Sequence, residues 1–99
     1  MSYEIVVTYT KTAESPADVF TTLPVLKSVA TQQQIDTLLA KYPVAWDTKI
    51  ILDQMIIHNV FTSEEEHAAR NADPIVVSLQ AQRKAWAEAN KLTYDIRVL

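Results

Sequence analysis

The chain has 99 residues, 48% apolar and 21% charged, with a formal net charge of −3, no glycine and no cysteine. That length makes one domain with a modest core, and the composition excludes wholesale disorder and collagen-like chains. Without glycine there are no phosphate-cradling G-x-G-x-x-G or G-x-x-x-x-G-K-[ST] loops, and without cysteine there is neither disulfide nor thiolate chemistry, which fits a reducing compartment such as the cytoplasm.

Met1-Ser2-Tyr3-Glu4 carries no basic stretch, so no secretory leader is expected. Tyr3–Thr10 alternates as a strand, with Tyr3, Ile5, Val7 and Tyr9 on one face and Glu4, Val6, Thr8 and Thr10 on the other. Ser15-Pro16 reads as the cap and first residue of a short helical turn through Phe20, which Pro24 interrupts. Thr31 and Gln34 have capping-box spacing, and Ile35, Leu38, Leu39 and Tyr42 form a helical stripe that Pro43 closes.

Two strands follow, at 46–52 and 55–62. With Asp53-Gln54 as a two-residue loop, Leu52 faces Met55, Ile50 faces Ile57, Thr48 faces Asn59 and Trp46 faces Phe61. One side of the hairpin then carries Trp46, Ile50, Leu52, Met55, Ile57 and Phe61. The other carries Asp47, Lys49, Ile51, Ile56, His58 and Val60. Apolar runs such as Ile50-Ile51-Leu52 fall far short of the ~20 residues that span a bilayer, so no membrane partner is expected.

Ser63 with Glu66 caps a short acidic-led helix over 64–70. Asp73-Pro74 starts a longer helix with the stripe Ile75, Val76, Leu79 and Trp86, and Asn90 is its expected left-handed stop. Arg83-Lys84, on this helix, is the one adjacent pair of cations. Neutralising a phosphate backbone needs several grouped cations, so nucleic acid is not expected as a partner. Residues 92–99 make the last strand, with Leu92, Tyr94, Ile96 and Val98 opposed to Thr93, Asp95 and Arg97.

Strand, helix, strand, strand, helix, strand implies one ferredoxin-like βαββαβ domain over residues 1–99. This is an α+β fold, a four-stranded antiparallel sheet with the helices on one face. The more apolar faces, with Ile5, Val7, Ile50, Ile57, Tyr94 and Ile96, are expected to pack on Leu38, Leu39, Leu79 and Trp86. The uncovered face would hold Val6, Thr8, Lys49, Ile51, Ile56, His58, Val60 and Arg97, beside Thr93. A sheet face in water should be polar. Four aliphatic residues here, Val6, Ile51, Ile56 and Val60, make a patch of the kind that marks an interface, and a symmetric homodimer is the simplest cover.

The order of elements and the segment VFTSEEEHAARNADPIVVSLQAQRKAWAEANKL, residues 60–92, resemble the antibiotic-biosynthesis-monooxygenase-like group of the dimeric α+β-barrel superfamily. Members of that group end the third strand in an aromatic residue, open a helix with Ser-x-Glu and break before the final helix with Asp-Pro or Ser-Pro. Phe61, Ser63, Glu65, Asp73 and Pro74 match that pattern. The C-terminal half also resembles small phage-encoded proteins. The resemblance implies a dimeric α+β barrel. It selects no reaction, since members include cofactor-independent oxygenases, haem-degrading enzymes and isomerase-like proteins. In the oxygenases the substrate pocket lies between sheet and helices and uses Asn, Trp and His side chains. By that resemblance Trp46, Asn59, Trp86, Tyr9 and Tyr94 are candidate pocket residues.

His58 lies opposite Lys49 in the expected register, with Asp95 and Arg97 on the same face. The cluster suits an acidic ligand, but hydrogen bonding at a subunit boundary is the favoured role for a lone strand histidine. His67 follows Glu64-Glu65-Glu66, whose side chains fan around a helix without converging, and H-E-x-x-H is absent. No metal and no cofactor are therefore expected. The run N-A-D-P at 71–74 only spells a helix break. There is no G-x-S-x-G nucleophile turn. Two readings lead, beside a third in which the chain is a structural component of a larger assembly with open-ended contacts. One is a non-catalytic homodimeric module that takes a partner or a small hydrophobic or acidic ligand. The other is a cofactor-independent monooxygenase- or isomerase-like enzyme acting on a hydrophobic substrate, which needs an enclosed cavity beside Asn59, Trp46 and Trp86 or near His58 in the dimer.

Overall fold

In the computed structural model, which describes residues 2–99, strand β1 (Tyr3–Thr10) buries Ile5 and Tyr9 on one face, as its alternation demands. Helix α1 (Gln32–Lys41) opens with a capping box: the Thr31 hydroxyl accepts from the Gln34 N–H at 3.3 Å, and the Gln34 amide oxygen accepts from the Thr31 N–H at 2.9 Å. Strands β2 (Val44–Ile51) and β3 (Gln54–Phe61) form the hairpin. Ser63 caps helix α2 (Glu64–Asn71) by accepting from the Glu66 N–H at 3.1 Å. Asp73 caps helix α3 (Pro74–Ala89) through the Ile75 N–H at 2.9 Å, with Pro74 where no N–H is needed. Strand β4 (Thr93–Val98) is the last element. The sheet order is β2-β3-β1-β4 with every neighbour antiparallel, the ferredoxin-like α+β arrangement. No helix among the described residues is long and apolar enough to cross a membrane.

Four local expectations are corrected. The hairpin turns on Leu52-Asp53 and not on Asp53-Gln54, so Ile50 faces Met55, Thr48 faces Ile57 and Trp46 faces Asn59. Leu52 takes the left-handed conformation (φ 54°), and the Asp53 carbonyl accepts from the Lys11 N–H at 2.8 Å, tying the turn to the neighbouring strand. The pairing shifts by two residues along β3 relative to the expected one, so every side chain keeps its face while its cross-strand partner changes. His58 consequently faces Asp47, and Lys49 faces Ile56.

No helix starts at Pro16; a 3-10 turn forms at Val19–Thr22 instead. The Ser15 hydroxyl is already engaged, accepting from the Thr12 N–H at 3.0 Å and donating to the Lys91 carbonyl at 3.2 Å. At the end of α3 the left-handed residue is Lys91 (φ 58°), while Asn90 stays at φ −100°. The Asn90 side chain donates to the Trp86 carbonyl at 2.8 Å. The Lys91 and Leu92 N–H groups reach Glu88 and Ala87, closing a Schellman motif one residue later.

The fourth correction concerns the helix-covered face. Ile5, Tyr9, Met55, Ile57 and Phe61 on the two central strands are buried, as are Ile35 and Leu38 of α1 and Val76, Leu79 and Trp86 of α3. Ile50 and Ile96, expected beneath the helices, are 60% and 59% exposed, and Tyr94 is exposed as well. Helix α1 is only ten residues long, and the outer strands lie beyond the helical layer: β2 is exposed apart from Val44, and β4 throughout. The result is a thin slab, 39 × 30 × 18 Å.

Candidate functional site

The face of the sheet away from the helices is built in rows by the register. Ala45, Val60 and Glu4 form one row, Asp47, His58, Val6 and Arg97 the next, and Lys49, Ile56, Thr8 and Asp95 the third. Ile51, Gln54, Thr10 and Thr93 make the fourth. Val6, Ile56 and Val60 are half-buried with no layer above them, and Ile51 is 52% exposed. Pleating puts these side chains on one side, and antiparallel pairing brings the aliphatics of three strands together.

Within this patch the His58 Nε2 and a Glu4 carboxylate oxygen are 2.8 Å apart, on a diagonal between rows. An ionised carboxylate only accepts, so Nε2 carries the proton in this bond. Both side chains keep more than a third of their surface in water, where such a pair contributes little to stability, on the order of 0–1 kcal/mol. Excluding water from the face would strengthen the attraction.

On the opposite face the structure brings together three of the five sequence-derived pocket residues. The Tyr9 and Trp86 rings meet edge to face at 5.2 Å, Tyr94 lies 6.2 Å from Tyr9, and the Trp86 indole N–H donates to the Thr22 hydroxyl at 2.9 Å. Tyr9 and Trp86 are core residues, packed with Val19, Met55 and Ile57. Burial raises the Tyr9 phenol above its ordinary value, with nearby Arg83 opposing. Trp46 and Asn59 face each other elsewhere. Asn59 is four residues along β3 from Met55, the residue opposite Tyr9, a separation of ~13 Å.

Two clefts among the described residues are open to solvent. One of about 320 Å³ lies between α1 and the start of α3, at Thr37, Lys41, Asp73 and Ile75. The other, about 440 Å³ and mostly apolar, lies at Pro43, Val44, Ala45, Val60 and Phe61, at one end of the hairpin. Neither is lined by Tyr9, Trp46, Asn59, Trp86 or Tyr94.

A cluster around His67 was not anticipated. Its ring lies 4.6 Å from Phe61 and 5.2 Å from Tyr3, and its Nε2 accepts from the Asn71 amide at 3.0 Å, while Gln80 donates to the Asn71 oxygen at 3.2 Å. Burial first, then Arg70, holds the His67 imidazole below its ordinary value, against the pull of Glu64. The available signal was the i, i+4 spacing of His67 and Asn71 with the aromatic strand end. Among the described residues no three His, Asp or Glu side chains converge as metal ligands.

No family model and no curated protein match this sequence. Solved structures do match. Rv0793 from Mycobacterium tuberculosis superposes with a TM-score of 0.64 at 13% identity, covering 100% of this chain and 93% of that one. A candidate antibiotic biosynthesis monooxygenase from Chloroflexus aurantiacus gives 0.59 at 15% identity, covering 100% and 93%. SnoaB, a cofactor-independent oxygenase from Streptomyces nogalater, gives 0.55 at 13% identity, covering 99% and 90%. The chain therefore has the fold of the antibiotic-biosynthesis-monooxygenase-like proteins. At these identities the likeness is one of fold alone.

Proposed function

We propose that this chain is a homodimeric binding module in which the open sheet face is the subunit contact. The observation that carries this reading is the half-buried aliphatic patch of Val6, Ile56 and Val60, continued by exposed Ile51, with nothing of its own chain above it. Total surface points the same way. A monomer of 11.2 kDa is expected to expose roughly 5,700 Å², and this chain exposes 6313 Å². The excess, about 600 Å², is what a thin slab with uncovered sheet surface exposes. The exposed aromatic and aliphatic residues on the helix side of the outer strands, Trp46, Ile50, Tyr94 and Ile96, remain available for a small hydrophobic ligand. Ile56→Asp puts a charge at the centre of the patch. It should weaken association at least a hundredfold while leaving the circular dichroism of the fold intact, and unchanged association would refute the reading.

The fold shared with SnoaB favours a second reading, a cofactor-independent oxygenase acting on a hydrophobic substrate. Such chemistry needs an enclosed site, and the two clefts described are open. Titration with 8-anilinonaphthalene-1-sulfonate, a hydrophobic anion, separates the two readings. Binding that is lost in Tyr94→Ala marks a ligand site on the helix side of the outer strands, and oxygen consumption with a bound substrate would mark an enzyme.

A further inference from the structure

The charges of the open face lie at its edges: Asp47 and Lys49 on β2, Asp95 and Arg97 on β4. The register places Asp47 and Arg97 at opposite ends of one row, and Lys49 and Asp95 at opposite ends of the next. Each row thus has an acid at one edge and a base at the other, and the order reverses between rows. All four residues are exposed. Members of a row are three strand spacings apart, ~14 Å, too far to pair within one chain. Among the described residues the one acid–base contact within 4 Å is Glu4 with His58, so none of the four is paired at close range. Their nearest opposite charges are the same-face neighbours, Asp47 with Lys49 and Asp95 with Arg97, ~7 Å apart along each strand.

Resting on the dimer reading above, we infer that a second copy supplies the counter-charges, with β2 of each chain lying over β4 of the other about a two-fold axis parallel to the strands. That operation keeps the rows and exchanges the edges. Asp47 meets Arg97 of the second copy, Lys49 meets its Asp95, and symmetry repeats both contacts. Face-to-face sheets keep their strands within ~30° of each other, so two adjacent rows stay matched. A slip of one row sets Asp47 against Asp95 of the second copy, so the same charges also fix the register. At the centre of the face Glu4 keeps His58 as its partner.

A two-fold axis across the strands also pairs opposite charges, Asp47 with Lys49 of the second copy. The position of Leu99 decides between the two. Leu99, 65% exposed, continues β4 by donating its N–H to the Glu4 carbonyl at 3.0 Å, which puts it in the row of Val60 and Ala45. The parallel axis sets Leu99 over Ala45 of the second copy, at the apolar cleft lined also by Pro43, Val44 and Val60. The axis across the strands sets it over the polar Thr93.

Charge reversal tests this directly. One variant reverses β2 (Asp47→Lys with Lys49→Asp) and another reverses β4 (Asp95→Lys with Arg97→Asp). Alone, each should self-associate at least tenfold more weakly than the unaltered chain in sedimentation velocity. Mixed in equal amounts, they should form a heterodimer as tight as the unaltered dimer, because every contact again joins opposite charges. With the axis across the strands, the β2 variant alone keeps its affinity and the mixture does not form. Either of those results overturns the inference while the dimer stands. An unaltered chain that stays monomeric overturns the dimer reading itself. If a double reversal unfolds, the single variants Asp47→Lys and Arg97→Asp repeat the mixing test: a heterodimer tighter than either variant alone supports the parallel axis, and a mixture no tighter than either alone overturns it.

Discussion

At the scale of single residues, the two buried side chains of the aromatic group, Tyr9 and Trp86, work for the fold. The Trp86 indole both meets the Tyr9 ring and donates to Thr22. Trp86→Phe keeps a ring in the core and removes the hydrogen bond, so urea unfolding should show a loss of about 1–2 kcal/mol. A loss near zero would mean that the bond to Thr22 stabilises nothing. His67 gives the pH dependence. Its folded value lies below the ordinary 6.5, so in the window between the two the unfolded chain binds more protons. Stability is therefore full above the unfolded value and declines as the pH falls through 6.5 toward the folded one. Protonation also removes the lone pair that accepts from Asn71. Urea midpoints measured from about pH 8 to about pH 5 should fall less steeply in His67→Gln than in the unaltered chain, and equal slopes would contradict this assignment. The sequence showed which residues are apolar or titratable. It did not show that His67 would face Phe61 and Tyr3, because that meeting is made by the packing of α2 on the strand ends.

Among elements, caps and faces were legible while turns were not. Thr31, Ser63, Asp73 and Pro74 sit where their chemistry requires, because a cap is decided within four residues. Face alternation along every strand was also readable. The hairpin turn was not, because a chain without glycine has no preferred left-handed position, and tertiary ties at Asp53 selected Leu52. The same holds at Lys91, where the Schellman bonds set the stop. Both residues carry a left-handed cost of ~1–2 kcal/mol that glycine avoids, against ~0.5–1 kcal/mol of extra chain entropy. Leu52 is 91% exposed, so little packing is lost by removing its side chain. Leu52→Gly and Lys91→Gly should each stabilise the fold by up to about 1 kcal/mol in urea unfolding. Destabilisation by either would show that the side chain, and not the backbone, sets that turn.

For the whole molecule, the order of elements predicted a ferredoxin-like sheet, and solved structures of the antibiotic-biosynthesis-monooxygenase-like fold match it along nearly their full length. The reach of the helical layer was beyond the sequence: Ile50, Tyr94 and Ile96 alternate like core residues, yet their strands lie outside the helices. On the dimer reading proposed above, an 18 Å slab with aliphatics on its bare face is half of a sandwich. Its stability should therefore depend on concentration, since association adds to folding by mass action. Sedimentation equilibrium of the unaltered chain over a wide concentration range tests this most directly. The account predicts a mass of twice the 11.2 kDa chain that falls toward one chain on dilution. A single 11.2 kDa species at every concentration, with the sheet face left in water, would contradict it.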